Sequence, residues 1–127
     1  VCRRAGVAVA GPDPVEVFAE PPRTWLLERA AAELRWAVRH GDFAYRVLNA
    51  CRAWRYLEDD VLGSKVEGGR WARLRLVDTE VPGDGALVDA AVAAQLGLAP
   101  MPAASADLAA ADRFVASVMD RFGEGSA

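Results

Sequence analysis

DFAYRVLNACRAWRYLEDD, residues 42–60, is the stretch on which the fold turns. Val47, Leu48, Cys51 and Trp54 recur at three- and four-residue steps, with Leu57 or Tyr56 next. One face of a helix from about Phe43 to Asp59 is therefore apolar. Asp42 stands where an N-cap belongs. Arg52 and Arg55 lie near the edges of the stripe. The helix closes on Glu58, Asp59 and Asp60, negative charges that sit badly against the C-terminal end of a helix dipole. So apolar a face needs partners, and the flanking sequence offers them.

Upstream, Thr24 to Arg39 repeats the pattern through Leu27, Ala30, Ala31, Leu34, Ala37 and Val38, with Trp36 off the stripe. His40 and Gly41 end that helix, and His40 is well placed for the dipole. Downstream, Ser64 and Glu67 form a capping box for a helix from Lys65 to about Leu76. Asp84 caps a helix carrying Leu87, Val88, Ala91, Val92 and Leu96 on its buried face, closed by Gly97. Ser105 caps a last one with Leu108, Ala111, Val115, Met119 and Phe122. Before all of these, GVAVA (6–10) reads as a short strand, and PDPVEVFAE (12–20) as a short helix closed by Pro21-Pro22. A lone strand cannot satisfy its own backbone groups, so its partners are expected outside this chain. The fold expected is all-α: an antiparallel bundle of about five helices joined by short connections, preceded by one orphan strand. The tail GEGSA (123–127) is expected to fray.

The 127 residues suit one domain with a real core. Hydrophobic residues make up 53% and the net charge is −3, which argues against a nucleic-acid footprint but suits cationic ligands. No apolar run reaches the roughly 18 residues of a membrane span, and no signal peptide is visible. Cys2 and Cys51 have no metal-ligand spacing. They read most simply as reduced thiols of a cytoplasmic protein, with a disulfide as the alternative. No Cys/His metal set and no Gly-rich dinucleotide motif occurs, and no serine sits in a persuasive triad context.

SKVEGG (64–69) is the sharpest local feature. A lysine in a first helical turn opposes the macrodipole, and each interior glycine costs roughly 1 kcal/mol relative to alanine. One reading is a lysine placed for a phosphate, with glycines that let backbone or ligand come close. The other is a solvated lysine on a helix whose glycines admit a neighbouring tryptophan. Asp42 is a helix cap, or a carboxylate that meets an ammonium group with Trp36 as a flat apolar wall. Trp36 by itself is equally a packing residue. Arg52 reaches a phosphate, or pairs with one of the 58–60 carboxylates, which themselves form an acidic rim or a solvated face. Arg35 and His40, with four residues between them, have the spacing of the ribonuclease motif in HEPN-type helical domains.

YRVLNACRAWRYLEDDVLGSKVEGGRWA, Tyr45 to Ala72, resembles the helical C-terminal domain of aminoglycoside adenylyltransferases of the streptomycin/spectinomycin type. RRAGVAVAGPDPVEVFAE (3–20) is similar to the end of that family's nucleotidyltransferase domain and its junction. The likeness is close from Cys2 to Leu76, and from Leu87 to Phe122 it is one of helical pattern. It implies a division into 1–12 (end of a nucleotidyltransferase domain and junction), 13–122 (helical domain) and 123–127 (disordered tail). It implies a two-domain enzyme that transfers AMP from ATP to a drug hydroxyl in the cleft between domains, a route to antibiotic resistance. The Gly-Ser motif, the Mg2+-binding aspartates and the catalytic glutamate belong to the other domain, so this chain alone is expected to be inactive. Carried over by residue, the resemblance implies nucleotide contacts at Lys65 and Arg52 and drug contacts at Asp42 and Trp36. The loop between Trp36 and Asp42 is shorter than the family's, its second drug-binding carboxylate has no counterpart, and Gln95 stands where a nucleotide-contacting tyrosine is expected. The expected partners are the nucleotidyltransferase domain, ATP and an aminoglycoside or aminocyclitol. The alternatives are a stand-alone helical binding module and a HEPN-like ribonuclease.

Overall fold

The computed structural model describes residues 22–76 and 84–126. The strand expected at 6–10 and the short helix at 12–20 lie outside those residues. Five helices follow one another: α1 (Arg23–His40), α2 (Phe43–Asp59), α3 (Lys65–Arg75), α4 (Asp84–Gln95) and α5 (Ser105–Ser126). The fold is an all-α bundle. α2 packs on each of the other four, α3 also packs on α4, and α5 closes the opposite side against α1 and α4.

The apolar stripe of α2 forms the centre. Val47, Leu48 and Cys51 are fully buried, and Trp54 and Tyr56 nearly so. Leu34 and Ala37 of α1, Val88 and Ala91 of α4, and Phe114, Val115, Val118 and Phe122 of α5 fill the space around them. Trp54 and Trp71 meet edge to face at 5.0 Å, joining α2 to α3. Asp42 caps α2, its carboxylate accepting from the Tyr45 amide at 2.8 Å. The box at α3 is complete: the Glu67 amide donates to Ser64 Oγ at 3.1 Å, and the Ser64 amide to Glu67 Oε1 at 2.8 Å. The Ser64 amide above all, with the Ser64 side chain, holds the Glu67 carboxyl below its usual range.

Three expectations change. Leu96 is exposed, because α4 stops at Gln95 and the chain turns at Gly97 with φ +76°. α5 continues past Phe122 to Ser126, into the segment expected to fray. The α3 glycines do not make room for a tryptophan. A Cβ on Gly68 would lie 2.9–3.1 Å from Cγ, the backbone N and Cα of Arg52, and one on Gly69 would lie 2.8 Å from Leu48 Cδ2 and Val92 Cγ2. The glycines let α3 cross α2 almost backbone to backbone.

The acidic end of α2 is held by cross-helix contacts. Asp59 accepts from Trp71 Nε1 at 2.8 Å and from Arg75 at 3.4 Å. Arg23 donates to Asp60 at 2.6 Å and to the Leu57 carbonyl at 2.8 Å, which places a cation where the helix dipole wants one. At the other end of α2, Arg46 donates to the Gly41 carbonyl and to Asp112 of α5, 2.8 and 2.9 Å away.

Gly68→Ala should therefore destabilise the bundle by about 1–3 kcal/mol, because backbone atoms of Arg52 cannot yield as a side chain would. Helix propensity alone predicts a gain of about 1 kcal/mol. Urea unfolding decides between them, and a more stable variant would show that the crossing is not tight.

Candidate functional site

Tyr45, Asn49, Arg52 and Tyr56 follow at steps of four, three and four along α2, which puts them on one face. That face turns toward α1. Between them lies a cleft of about 140 Å³ lined by Arg29 and Glu33 of α1, Asn49, Arg52 and Tyr56 of α2, and Leu62 of the α2–α3 connection, among others. Asn49 sits at its base with 4% of its surface exposed. Its side-chain amide donates to the Tyr45 carbonyl at 2.8 Å, and its Oδ1 accepts from Arg52 Nη1 at a long 3.4 Å. Among the described residues Arg52 has no carboxylate partner, so the pairing with Glu58–Asp60 entertained from sequence does not form. Its guanidinium keeps most of its donors for something else.

Tyr45 connects the remaining candidates. Asp42 binds its amide. The Lys65 ammonium lies over its ring, 4.8 Å from the centroid. Trp36, with 51% of its surface exposed, meets that ring edge-on at 5.5 Å and touches His40 at 5.0 Å. The Tyr45 hydroxyl donates to Glu33 at 3.4 Å. Lys65, Asp42 and Trp36 thus meet around one tyrosine, and Arg52 stands two turns further along the same face of α2.

Partial burial, reinforced by the neighbouring Glu33 charge and hydrogen bond, raises the Tyr45 phenol above its ordinary value, and Arg52 offsets part of this. The cysteine question has a simple answer at Cys51, which is buried, unpaired and raised in pKa by that burial. Such a thiol is inert. Cys2 lies outside the described residues.

The sequence reading missed Tyr45, Glu33 and Asn49. Tyr45 and Asn49 were visible as an aromatic and an amide sharing a face with Arg52, but the apolar stripe of the same helix drew attention away. Glu33 carried no signal. The connection between α1 and α2 is only Gly41-Asp42, because α1 stays helical to His40. No loop therefore exists there to carry a second carboxylate, and Glu33, one turn before Trp36, is the acid that reaches the cluster. Gln95 ends α4 and is exposed. Arg35 lines a groove between α1 and α5, whereas His40 packs on Trp36. Five residues apart on a helix, they point about 140° from each other. That divergence argues against a shared ribonuclease centre. Among the described residues no group of three or more His, Cys, Asp or Glu could hold a metal ion. No helix there is long and apolar enough to cross a membrane.

A family model described as aminoglycoside adenylyltransferase, C-terminal domain, matches residues 18–121, spanning α1 to α4 and most of α5. No curated protein and no solved structure shows a significant match.

A raised phenol contributes stability that is present below its ordinary pKa and is lost as pH climbs through the higher folded value. The chain has two tyrosines. In a Tyr56→Phe chain, phenolate absorbance should therefore rise with a midpoint above about 10, and adding Glu33→Gln should bring it back toward 10. A midpoint that ignores Glu33 would remove that carboxylate from the cluster.

Proposed function

Because the chain belongs to the C-terminal domain family of aminoglycoside adenylyltransferases, we propose that it forms the helical wall of an aminoglycoside O-nucleotidyltransferase. In that enzyme a drug hydroxyl attacks the α-phosphorus of ATP. A bond from the hydroxyl oxygen to phosphorus forms, the bond to the β-phosphate oxygen breaks, and pyrophosphate leaves with the negative charge. Residues 13–122 are the helical domain in this reading, and 1–12 end the nucleotidyltransferase domain that holds the base and takes the proton. Lys65 and Arg52 receive the triphosphate. Asp42 and Trp36 receive the aminoglycoside or aminocyclitol, a polycation that an acidic, aromatic surface suits.

The meeting of Lys65, Asp42 and Trp36 around Tyr45 is the observation that carries the reading. An anion-seeking group and a cation-seeking group that both contact one tyrosine match a reaction that joins an anionic and a cationic substrate. Glu67 already supplies negative charge to the start of α3. Attraction for phosphate therefore rests on the Lys65 and Arg52 charges more than on the helix dipole. Lys65 is half-buried, so its charge is less screened than that of a free surface lysine. There it can stabilise the charge that builds on the departing pyrophosphate. Magnesium, which helps neutralise phosphates in such transfers, finds no donor set among the described residues. Its ligands lie in the nucleotidyltransferase domain, and no step here runs through it.

ATP-dependent pyrophosphate release with streptomycin or spectinomycin tests the reading. The chain joined to its nucleotidyltransferase domain should turn over, and the chain alone should not. Lys65→Ala in the joined protein should raise KM for ATP or lower kcat/KM by roughly 10–100-fold, the scale of one charge-assisted hydrogen bond. Turnover by the isolated chain, or an indifferent Lys65→Ala, would overturn the assignment.

A further inference from the structure

Lys65 is the one lysine among fifteen lysine and arginine side chains. In a chain that otherwise chooses arginine everywhere, it is a compact point charge set on an aromatic face. That face is reserved by sequence. Gly41 has ordinary extended backbone angles, φ −82° and ψ 154°, which any residue can adopt. Its missing side chain leaves room for Tyr45 and the Ala37 carbonyl: a Cβ on Gly41 would lie 2.6 Å from Tyr45 Cδ1, 3.0 Å from the Ala37 carbonyl oxygen and 3.2 Å from Tyr45 Cβ. The phenol ring is thus confined by the Gly41 backbone on one side and by Trp36 on another.

We propose that Tyr45 is a positioning residue of this site: its ring sets the Lys65 ammonium and the Trp36 indole on one platform, and its hydroxyl reaches Glu33 beside them through a long 3.4 Å bond. The proposal rests on the functional reading above for what the two ends bind. One side chain then spaces the anion-facing end from the cation-facing end. Glu33 becomes the acid for a second ammonium group of the cationic substrate, a part that the two-residue α1–α2 connection cannot play. The two roles of Tyr45 are separable by chemistry. Phenylalanine keeps the ring and loses the hydroxyl, whereas leucine loses both.

Because Lys65 is the single lysine, 13C-lysine labelling of the 127-residue chain gives one set of methylene signals. An ammonium held over a ring brings its ε-methylene into the ring current. The signals should be displaced upfield in the wild type and in Tyr45→Phe, and should return to the free-lysine position in Tyr45→Leu. Gly41→Ala, whose Cβ would press on the ring, should also shift them, and it serves where Tyr45→Leu does not fold. In the protein joined to its nucleotidyltransferase domain, Tyr45→Phe should raise KM for the aminoglycoside about threefold while KM for ATP stays within twofold. Tyr45→Leu should raise both by about threefold or more. Wild-type signals at the free-lysine position, signals that ignore Gly41→Ala, or equal KM changes in the two variants would overturn the positioning role. Displaced Lys65 signals in the 127-residue chain together with no AMP transfer by the joined protein would overturn the functional reading alone.

Discussion

The close crossing of α3 over α2 is the constraint on which the rest depends. Gly68 and Gly69 remove the side chains that would hold the two helices apart, and the backbone of Arg52 and the methyl groups of Leu48 and Val92 take the vacated space. An interior glycine pair is a poor choice for helix formation taken alone. It is sound once tertiary contact decides the outcome, since most helix stability in a folded domain comes from packing. The same crossing fixes where α3 begins. The capping box sets its first turn and the glycines set its height above α2, so Lys65 has little choice but to extend over Tyr45. A costly local sequence and a well-placed ammonium are thus two consequences of one arrangement.

Electrostatics in the bundle divide by place. Around the acidic end of α2, Arg23 pairs with Asp60 and Arg75 with Asp59. Arg46 meets Asp112, and Arg73 meets Asp89. The exposed pairs, all but the part-buried Arg46–Asp112, contribute little individually. At the α1–α2 cleft the pattern reverses. Among the described residues Arg52, in that cleft, has a long bond to a neutral amide, and Lys65, outside it, has an aromatic face. Burying a charge without an opposite charge costs free energy, so these two cations add little to folding.

The sequence made the helices legible because their signals are local. Periodicity and caps alone marked α2 from Phe43 to Asp59 and the Ser64–Glu67 box, whereas at α5 Ser105 is the first helical residue rather than the cap, and the preceding Ala104 amide donates to Asp107. The end of α4 was less legible. Leu96 keeps helical period with Leu87 and Val88, and only the turn at Gly97 shows that the chain has already left the core. The purpose of the glycines was out of reach, because whether a glycine faces a tryptophan or a backbone depends on a crossing no spacing records. The site was half legible. Lys65, Arg52, Asp42 and Trp36 stood out by type and by resemblance, yet the residue that brings most of them together did not. Tyr45 and Glu33 are twelve residues apart on different helices, and their bond exists only after α1 and α2 fold back through Gly41 and Asp42.

That two-residue connection also bears on what the surface selects. A long connection between α1 and α2 can carry acids on a flexible segment and adapt them to several substrates. Here α1 remains helical to the last residue before Gly41, so Trp36, Glu33 and Tyr45 are all held by helices, with Asp42 fixed as a cap. Groups on rigid elements lose less freedom when they bind, and they tolerate less variation in ligand shape. A wall built this way presents Trp36, Glu33, Tyr45 and Asp42 at fixed separations, preorganised by the two-residue connection.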